Sequence, residues 1–125
     1  MTPHTPYKTI IFDLDGTLLD TWPSLLQAVR TVTPGVTTIE PAALHLALSQ
    51  GNGAMFARAT EQMALDASAA QATLRDMESA YFGHTLSAAV PYPGVGHMLP
   101  QLQLAGLTLA LCTNRDRAST LALLD

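Results

Sequence analysis

The junction at residues 9–17 constrains this chain more than any other stretch. Thr9-Ile10-Ile11-Phe12 is a short, β-branched and apolar run, and it stops at Asp13-Leu14-Asp15-Gly16-Thr17. A run of this kind, bounded by Asp and Gly, reads as a buried parallel strand. Gly16 ends it, because glycine accepts the backbone angles of a sharp turn. A second apolar run, Leu107–Cys112, leads into Thr113-Asn114. Strands of this type with helix-forming sequence between them predict a parallel α/β fold. In such sheets the loops at the carboxyl ends of strands are where ligands bind.

The sequence between the two runs is punctuated for helices. Pro23 suits a first helical position, Leu25, Leu26, Val29 and Val32 follow at helical spacing, and Pro34-Gly35 ends that helix. Pro41 opens a second helix carrying Leu44, Leu46 and Leu48 and stopping near Gly51. Met55, Phe56, Ala59 and Met63 mark a third. Asp66 or Ser68 caps a fourth, with Leu74, Met77, Tyr81 and Phe82 on its apolar side. Residues 22–86 therefore read as an all-helical insert, and residues 1–21 with 87–125 as the α/β core it interrupts. After Pro91, Pro93 and Gly94 a helix is expected from about Val95 to Leu104, closed by Gly106. Pro100 conflicts with it, since proline removes a backbone donor, but the carbonyl left without a partner would lie in the first turn. Asp116 can cap a last helix running toward Asp125. Two strands fall short of the about 4–6 that sheets usually contain. The expectation is an incomplete core, the first part of a longer protein or a domain completed by a partner chain.

Composition narrows the function classes. Of 125 residues, 48% are hydrophobic and 13% charged, which favours a folded, soluble protein. No apolar run approaches the ~20 residues of a membrane span. The lead-in Thr2-Pro3-His4-Thr5-Pro6 has neither the basic start nor the apolar stretch of a secretory signal. The lone Cys112 cannot form an internal disulfide, so a reducing cytoplasm is the expected compartment. A net charge of −4 without a basic patch argues against a nucleic-acid partner. His4, His45, His84 and His97 are scattered and lack zinc-ligand spacing.

The chemistry concentrates at the first junction. Asp13 and Asp15, two residues apart at a strand end, can project into one site. Their charges repel, and a divalent cation relieves that repulsion; Mg²⁺ prefers oxygen ligands in octahedral array. The same cation neutralises phosphate, so that a carboxylate can attack phosphorus. Gly16 brings backbone N–H groups toward the phosphate, and the Thr17 hydroxyl can bond Asp15 or the turn.

Asp13-Leu14-Asp15-Gly16-Thr17 resembles the first signature, DxDGT, of the haloacid dehalogenase-like superfamily of phosphohydrolases. The likeness continues through Leu18-Leu19-Asp20-Thr21 and Tyr92-Pro93-Gly94-Val95 and ends at Cys112-Thr113-Asn114. The resemblance implies a Rossmann-like parallel core with an inserted helical cap. It implies that Asp13 forms an aspartyl-phosphate and that Asp15 first protonates the leaving alcohol and then activates water. Thr113 would donate its hydroxyl to the phosphoryl group, with Asn114 beside it. Mg²⁺ would be held by the Asp13 carboxylate and the Asp15 backbone carbonyl. Gln50-Gly51-Asn52-Gly53 and Arg58 resemble the cap loop of phosphoglycolate phosphatases, which implies that Gly51, Asn52 and Arg58 meet a small phosphorylated metabolite, phosphoglycolate first. The competing reading makes those glycines helix stop and start signals and Arg58 a solvated charge.

Two further motifs of the superfamily do not occur in this sequence. One supplies a Lys or Arg beside the nucleophile, the other the acidic residues that complete the Mg²⁺ site. The one lysine, Lys8, precedes the first motif. Alternatives to a phosphoglycolate phosphatase are another phosphatase of the superfamily, a sugar phosphomutase, or a non-catalytic binding or assembly domain. The sequence leaves the oligomeric state open.

Overall fold

The computed structural model describes residues 6–125, with the side chains of residues 85–87 outside that description. The lead-in at residues 2–5, His4 included, also lies outside the described residues. In chain order the elements are β1 (Thr9–Phe12), β2 (Leu19–Asp20), α1 (Trp22–Val32), α2 (Pro41–Ala47), a 3-10 turn (Leu48–Gln50), α3 (Asn52–Glu61), α4 (Ala67–Ala88), β3 (Val90–Pro91), α5 (Val95–Leu104), β4 (Thr108–Leu111) and α6 (Arg117–Leu124). They form two compact units. One joins the residues up to Thr21 to Val90–Asp125, and the other is Trp22–Ala89.

In the α/β unit, β1 pairs with β4 in parallel, Thr9 opposite Thr108 through Phe12 opposite Leu111. The Cys112 N–H extends the ladder by donating to the Phe12 carbonyl at 2.8 Å. Asp13 and Thr113 thus leave the sheet from neighbouring strand ends. A parallel pair requires a long crossover, and the chain between β1 and β4 provides it. A second, antiparallel pair joins Leu19 to Pro91 and Asp20 to Val90, closing the point where the helical segment leaves and returns. Nothing in the residue pattern announces this pair, since two residues carry no periodicity. Pro100 does sit inside α5, within a helix that begins at Val95.

The strands correct one expectation. Neither is buried: residues along β1 and β4 alternate between exposed and half-buried, and Ile11 is 67% exposed. With two strands in this sheet among the described residues, each keeps an unpaired edge, and the face bearing Thr9, Ile11, Thr108 and Ala110 stays open.

The helical unit has the closed core. Leu25, Ala28 and Val29 of α1 meet Leu44 of α2, Met55, Phe56 and Ala59 of α3, and Met77 and Tyr81 of α4. Local chemistry sets the helix ends. Pro41 opens α2 at a position where its missing N–H costs nothing. The Asp66 carboxylate accepts the Ala69 N–H at 2.9 Å and caps α4. Two of the apolar residues read on these helices lie outside the core: Leu46 is 77% exposed and Phe82 is 44% exposed. Leu44, Leu46 and Leu48 repeat every second residue, and in a helix that step points successive side chains to opposite sides. Phe82 is one residue further round α4 than buried Tyr81. No described helix is long and apolar enough to cross a membrane.

Candidate active site

The turn after β1 is built on the backbone of Leu14. Its carbonyl accepts the N–H groups of Thr17 (3.2 Å), Leu18 (3.0 Å) and Leu19 (3.1 Å), and its buried side chain anchors the loop. Gly16 takes a left-handed φ of 74°, a conformation that disfavours residues with a Cβ. The Gly16 N–H donates to the Leu19 carbonyl at 2.8 Å. The N–H groups of Gly16 and Thr17 are therefore engaged within the turn, and both residues are exposed.

Asp13 stands exposed at the strand end, and its Oδ1 accepts the Leu14 N–H at 2.8 Å, which fixes the rotation of the carboxylate. Asp15 is half-buried and held differently. Arg115 grips it with both arms of its fork, Nε to Oδ2 at 3.2 Å and Nη2 to Oδ1 at 2.5 Å. The Arg115 side chain is 3% exposed. The Arg115 backbone N–H donates to Thr113 Oγ1 at 3.1 Å. A hydroxyl that accepts through its oxygen still has its own hydrogen to donate. Thr113 is half-buried and Asn114 exposed.

Asp116 begins α6. Its carboxylate accepts the Ser119 hydroxyl at 2.5 Å and the Ser119 N–H at 2.9 Å. These two bonds, the hydroxyl's first, hold its carboxyl below the ordinary Asp value of 3.8. Asp116 is thus tied to its own helix.

Asp13, Asp15, Gly16, Thr17, Thr113 and Asn114 all lie in the two loops that follow β1 and β4, within the α/β unit. Gly51, Asn52 and Arg58 belong to the helical unit. Gly51 is the N-cap of α3 with φ 108°, and Asn52 starts the helix. Arg58 pairs with Glu61 one turn along α3 at 2.9 Å, both side chains well exposed. Nothing in the sequence pattern around Arg115 singles it out. Its partner is 100 residues away in sequence, and only the strand register brings the two together.

The donors here suit a hard cation only in part. The Asp13 carboxylate and the Asp15 carbonyl are oxygen ligands of the type Mg²⁺ takes. Among the described residues, no three His, Cys, Asp or Glu side chains gather closely enough to hold a metal by themselves.

Residues 10–125 match the family model described as haloacid dehalogenase-like hydrolase. The chain is 33% identical over 120 residues to the phosphoglycolate phosphatase of Mesorhizobium japonicum, covering 93% of this chain and 53% of that protein. It is 31% identical over 111 residues to the N-acetylmuramic acid 6-phosphate phosphatase of Pseudomonas aeruginosa, covering 86% of this chain and 48% of that one. A crystal structure described as a predicted phosphoglycolate phosphatase from Haemophilus somnus superposes with a TM-score of 0.74 at 26% identity, covering 92% of this chain and 55% of that chain. A hydrolase from Streptococcus pneumoniae shares the fold, with a TM-score of 0.63 at 21% identity over 96% of this chain and 60% of that one. The chain spans about half the length of the curated relatives it matches.

Proposed function

The chain belongs to the haloacid dehalogenase-like hydrolase family, and on that premise we propose that it supplies the nucleophile, the acid–base carboxylate and one phosphate-binding hydroxyl of a Mg²⁺-dependent phosphomonoesterase. The substrate is a small phosphorylated metabolite, with phosphoglycolate favoured by the likeness to phosphoglycolate phosphatases. The observation that carries this reading is the register of β1 and β4, which sets Asp13 and Thr113 on adjacent strand ends with Asp15 two residues on.

In this mechanism an Asp13 carboxylate oxygen attacks phosphorus, the bond to the leaving oxygen breaks, and Asp15 protonates that oxygen. Asp15 then takes a proton from water as the water oxygen attacks phosphorus, which frees phosphate and restores Asp13. The Thr113 hydroxyl donates to a phosphoryl oxygen throughout, and the Leu14 N–H keeps Asp13 in one rotation. Mg²⁺, held by the Asp13 carboxylate and the Asp15 carbonyl, would offset the negative charge that otherwise keeps a carboxylate from a phosphate. The helical unit Trp22–Ala89 corresponds to the cap domain that the family resemblance implies, and caps of that kind exclude water. The turn at Gly51-Asn52 and Arg58 recognise the remainder of the substrate. To reach an anion, Arg58 exchanges its exposed partner Glu61, a small cost for a surface pair.

The test is phosphate release by this chain joined to the carboxyl-terminal segment of the Mesorhizobium japonicum relative, with and without Mg²⁺. The substrates are phosphoglycolate, N-acetylmuramic acid 6-phosphate and a sugar 1-phosphate. Mg²⁺-dependent hydrolysis, fastest on phosphoglycolate and lost in Asp13→Asn, is expected. Isomerised sugar phosphate in place of free phosphate would point to a mutase.

A further inference from the structure

The helical unit carries a cavity that the proposed reaction does not use. It lies where α1 ends and α2 begins, holds about 300 Å³ and opens to solvent. That is the small end of the range for ligand pockets, about 300–1,000 Å³. Its floor is apolar, with Leu26 and Val29 from α1 and Val36 and Ile39 from the connecting loop. Leu26 and Ile39 also pack against the closed core, so the floor is part of the folded unit. The loop is fixed at both ends. Gly35 takes φ 78° and turns the chain out of α1, and the Val36 N–H donates to the Thr33 carbonyl at 3.2 Å. At the far end the Glu40 N–H donates to Gln62 Oε1 at 3.0 Å.

One charged residue lines the cavity. Arg30, exposed in the last turn of α1, stands on its wall, and no acidic side chain among the described residues lines it. Among the described residues Arg30 has no ion-pair or hydrogen-bond partner. An open guanidinium fork beside an apolar floor fits an anion with a hydrocarbon body. A zwitterion fits poorly, because its ammonium would find no carboxylate. A single cation also suits a carboxylate better than a doubly charged phosphate. Arginine at a helix end complements the helix dipole as well, but that role needs no cavity and no ligand.

We propose that this cavity is a binding site for a small branched aliphatic carboxylate. The carboxylate pairs with the Arg30 fork, and the Thr37 hydroxyl, which also lines the cavity, is a second donor. The Thr33 hydroxyl is not, since it donates to the Val29 carbonyl at 2.7 Å. The hydrocarbon body displaces water from the floor. The site is separate from the turn assigned to the phosphorylated substrate. Pro41 lines the cavity, and Gly51 follows the far end of α2 and its 3-10 turn, about 15 Å along the helix. The proposal stands independently of the phosphatase reading.

The test uses the 125-residue chain and isovalerate, followed by the amide nuclear magnetic resonance shifts of the helical unit. Saturating shifts are expected at Thr33, Val36, Thr37 and Ile39 and not at Gly51 or Asn52, with the millimolar dissociation that a ligand of this size reaches. At the same residues acetate, which lacks the hydrocarbon body, binds about tenfold more weakly. Isovaleramide, of the same shape without the charge, is weaker by about the same factor. Inorganic phosphate is weaker than isovalerate. Arg30 is exposed and outside the core, so Arg30→Gln keeps the fold. In that variant isovalerate and isovaleramide bind alike. The absence of saturating shifts at millimolar isovalerate overturns the proposal. Acetate or phosphate binding as tightly as isovalerate also does, because the site would then be a bare cation. A preference for acid over amide that survives in Arg30→Gln overturns it too. So does a lower unfolding midpoint in that variant with unchanged isovalerate affinity, which would leave Arg30 as a helix-end charge alone.

Discussion

Truncating Phe56 to alanine should unfold the helical unit at much lower denaturant. Phe56 is 1% exposed, sits among Leu25, Leu44, Met55 and Met77, and meets Tyr81 edge-on with ring centroids 6.2 Å apart. Removing a buried phenylalanine ring costs about 3–5 kcal/mol, the transfer loss plus the cavity left behind. A whole domain is stable by only about 5–15 kcal/mol, so the loss is a large share of the total. Phe82 is the control. It neighbours Tyr81 in sequence, with ring centroids 5.8 Å apart, yet it is 44% exposed. Phe82→Ala should cost less than about 1 kcal/mol, as for surface changes generally. The assay is urea unfolding followed by far-ultraviolet circular dichroism, which reports chiefly on α1 to α4. An unchanged slope with a lower midpoint marks a true stability loss. A Phe56→Ala loss below about 1 kcal/mol, or equal losses at the two positions, would refute the assignment of Phe56 to a closed core.

Ser24 is fully buried and, among the described residues, its Oγ has no hydrogen-bond partner. Ser24→Ala is expected to raise the unfolding midpoint, by up to about 1 kcal/mol, and a clear fall would reveal a partner for the hydroxyl. Asp116 should titrate below the ordinary 3.8 because Ser119 donates to it twice. Since its folded value is depressed, its stabilisation of α6 is complete above 3.8 and is lost as pH falls through the folded value. Carboxyl-carbon nuclear magnetic resonance should show this, with the midpoint moving back up in Ser119→Ala. The 125-residue chain alone should release little or no phosphate from any phosphomonoester. Its sequence has no lysine after the first motif and no acidic motif to complete the metal site. Efficient Mg²⁺-dependent release by the purified chain would contradict that account.

The sequence showed most clearly what local chemistry decides. The apolar, β-branched run Thr9–Phe12 becomes β1 residue for residue, and Asp66 and Asp116 cap the helices that follow them. The Asp-rich loop was legible because five positions, Asp13 to Thr17, follow one apolar run and Thr113-Asn114 follows another, a combination that a simple turn does not require. What escaped depends on partners distant in the chain or on the solvent a surface meets. The pairing of Leu19–Asp20 with Val90–Pro91 involves too few residues to leave a pattern. The open face at Ile11 follows from the number of strands present, which the strand's own composition does not encode. Leu46 is apolar yet exposed, because its spacing from Leu44 and Leu48 excludes a shared helical face. Arg115 was unreadable for the opposite reason: nothing near it in sequence names Asp15 as its partner.

The most direct test of the central claim is to trap the phosphoryl group on the protein. The chain joined to the carboxyl-terminal segment of the Mesorhizobium japonicum relative is quenched in acid during turnover of phosphoglycolate. The acyl phosphate is then reduced with borohydride and located by mass spectrometry of peptides. The account expects the reduced residue at position 13, none in Asp13→Asn, and more in Asp15→Asn, where the phosphoryl group goes on but water is not activated to remove it. Phosphate release that persists in Asp13→Asn, or a label on any residue other than Asp13, would contradict it.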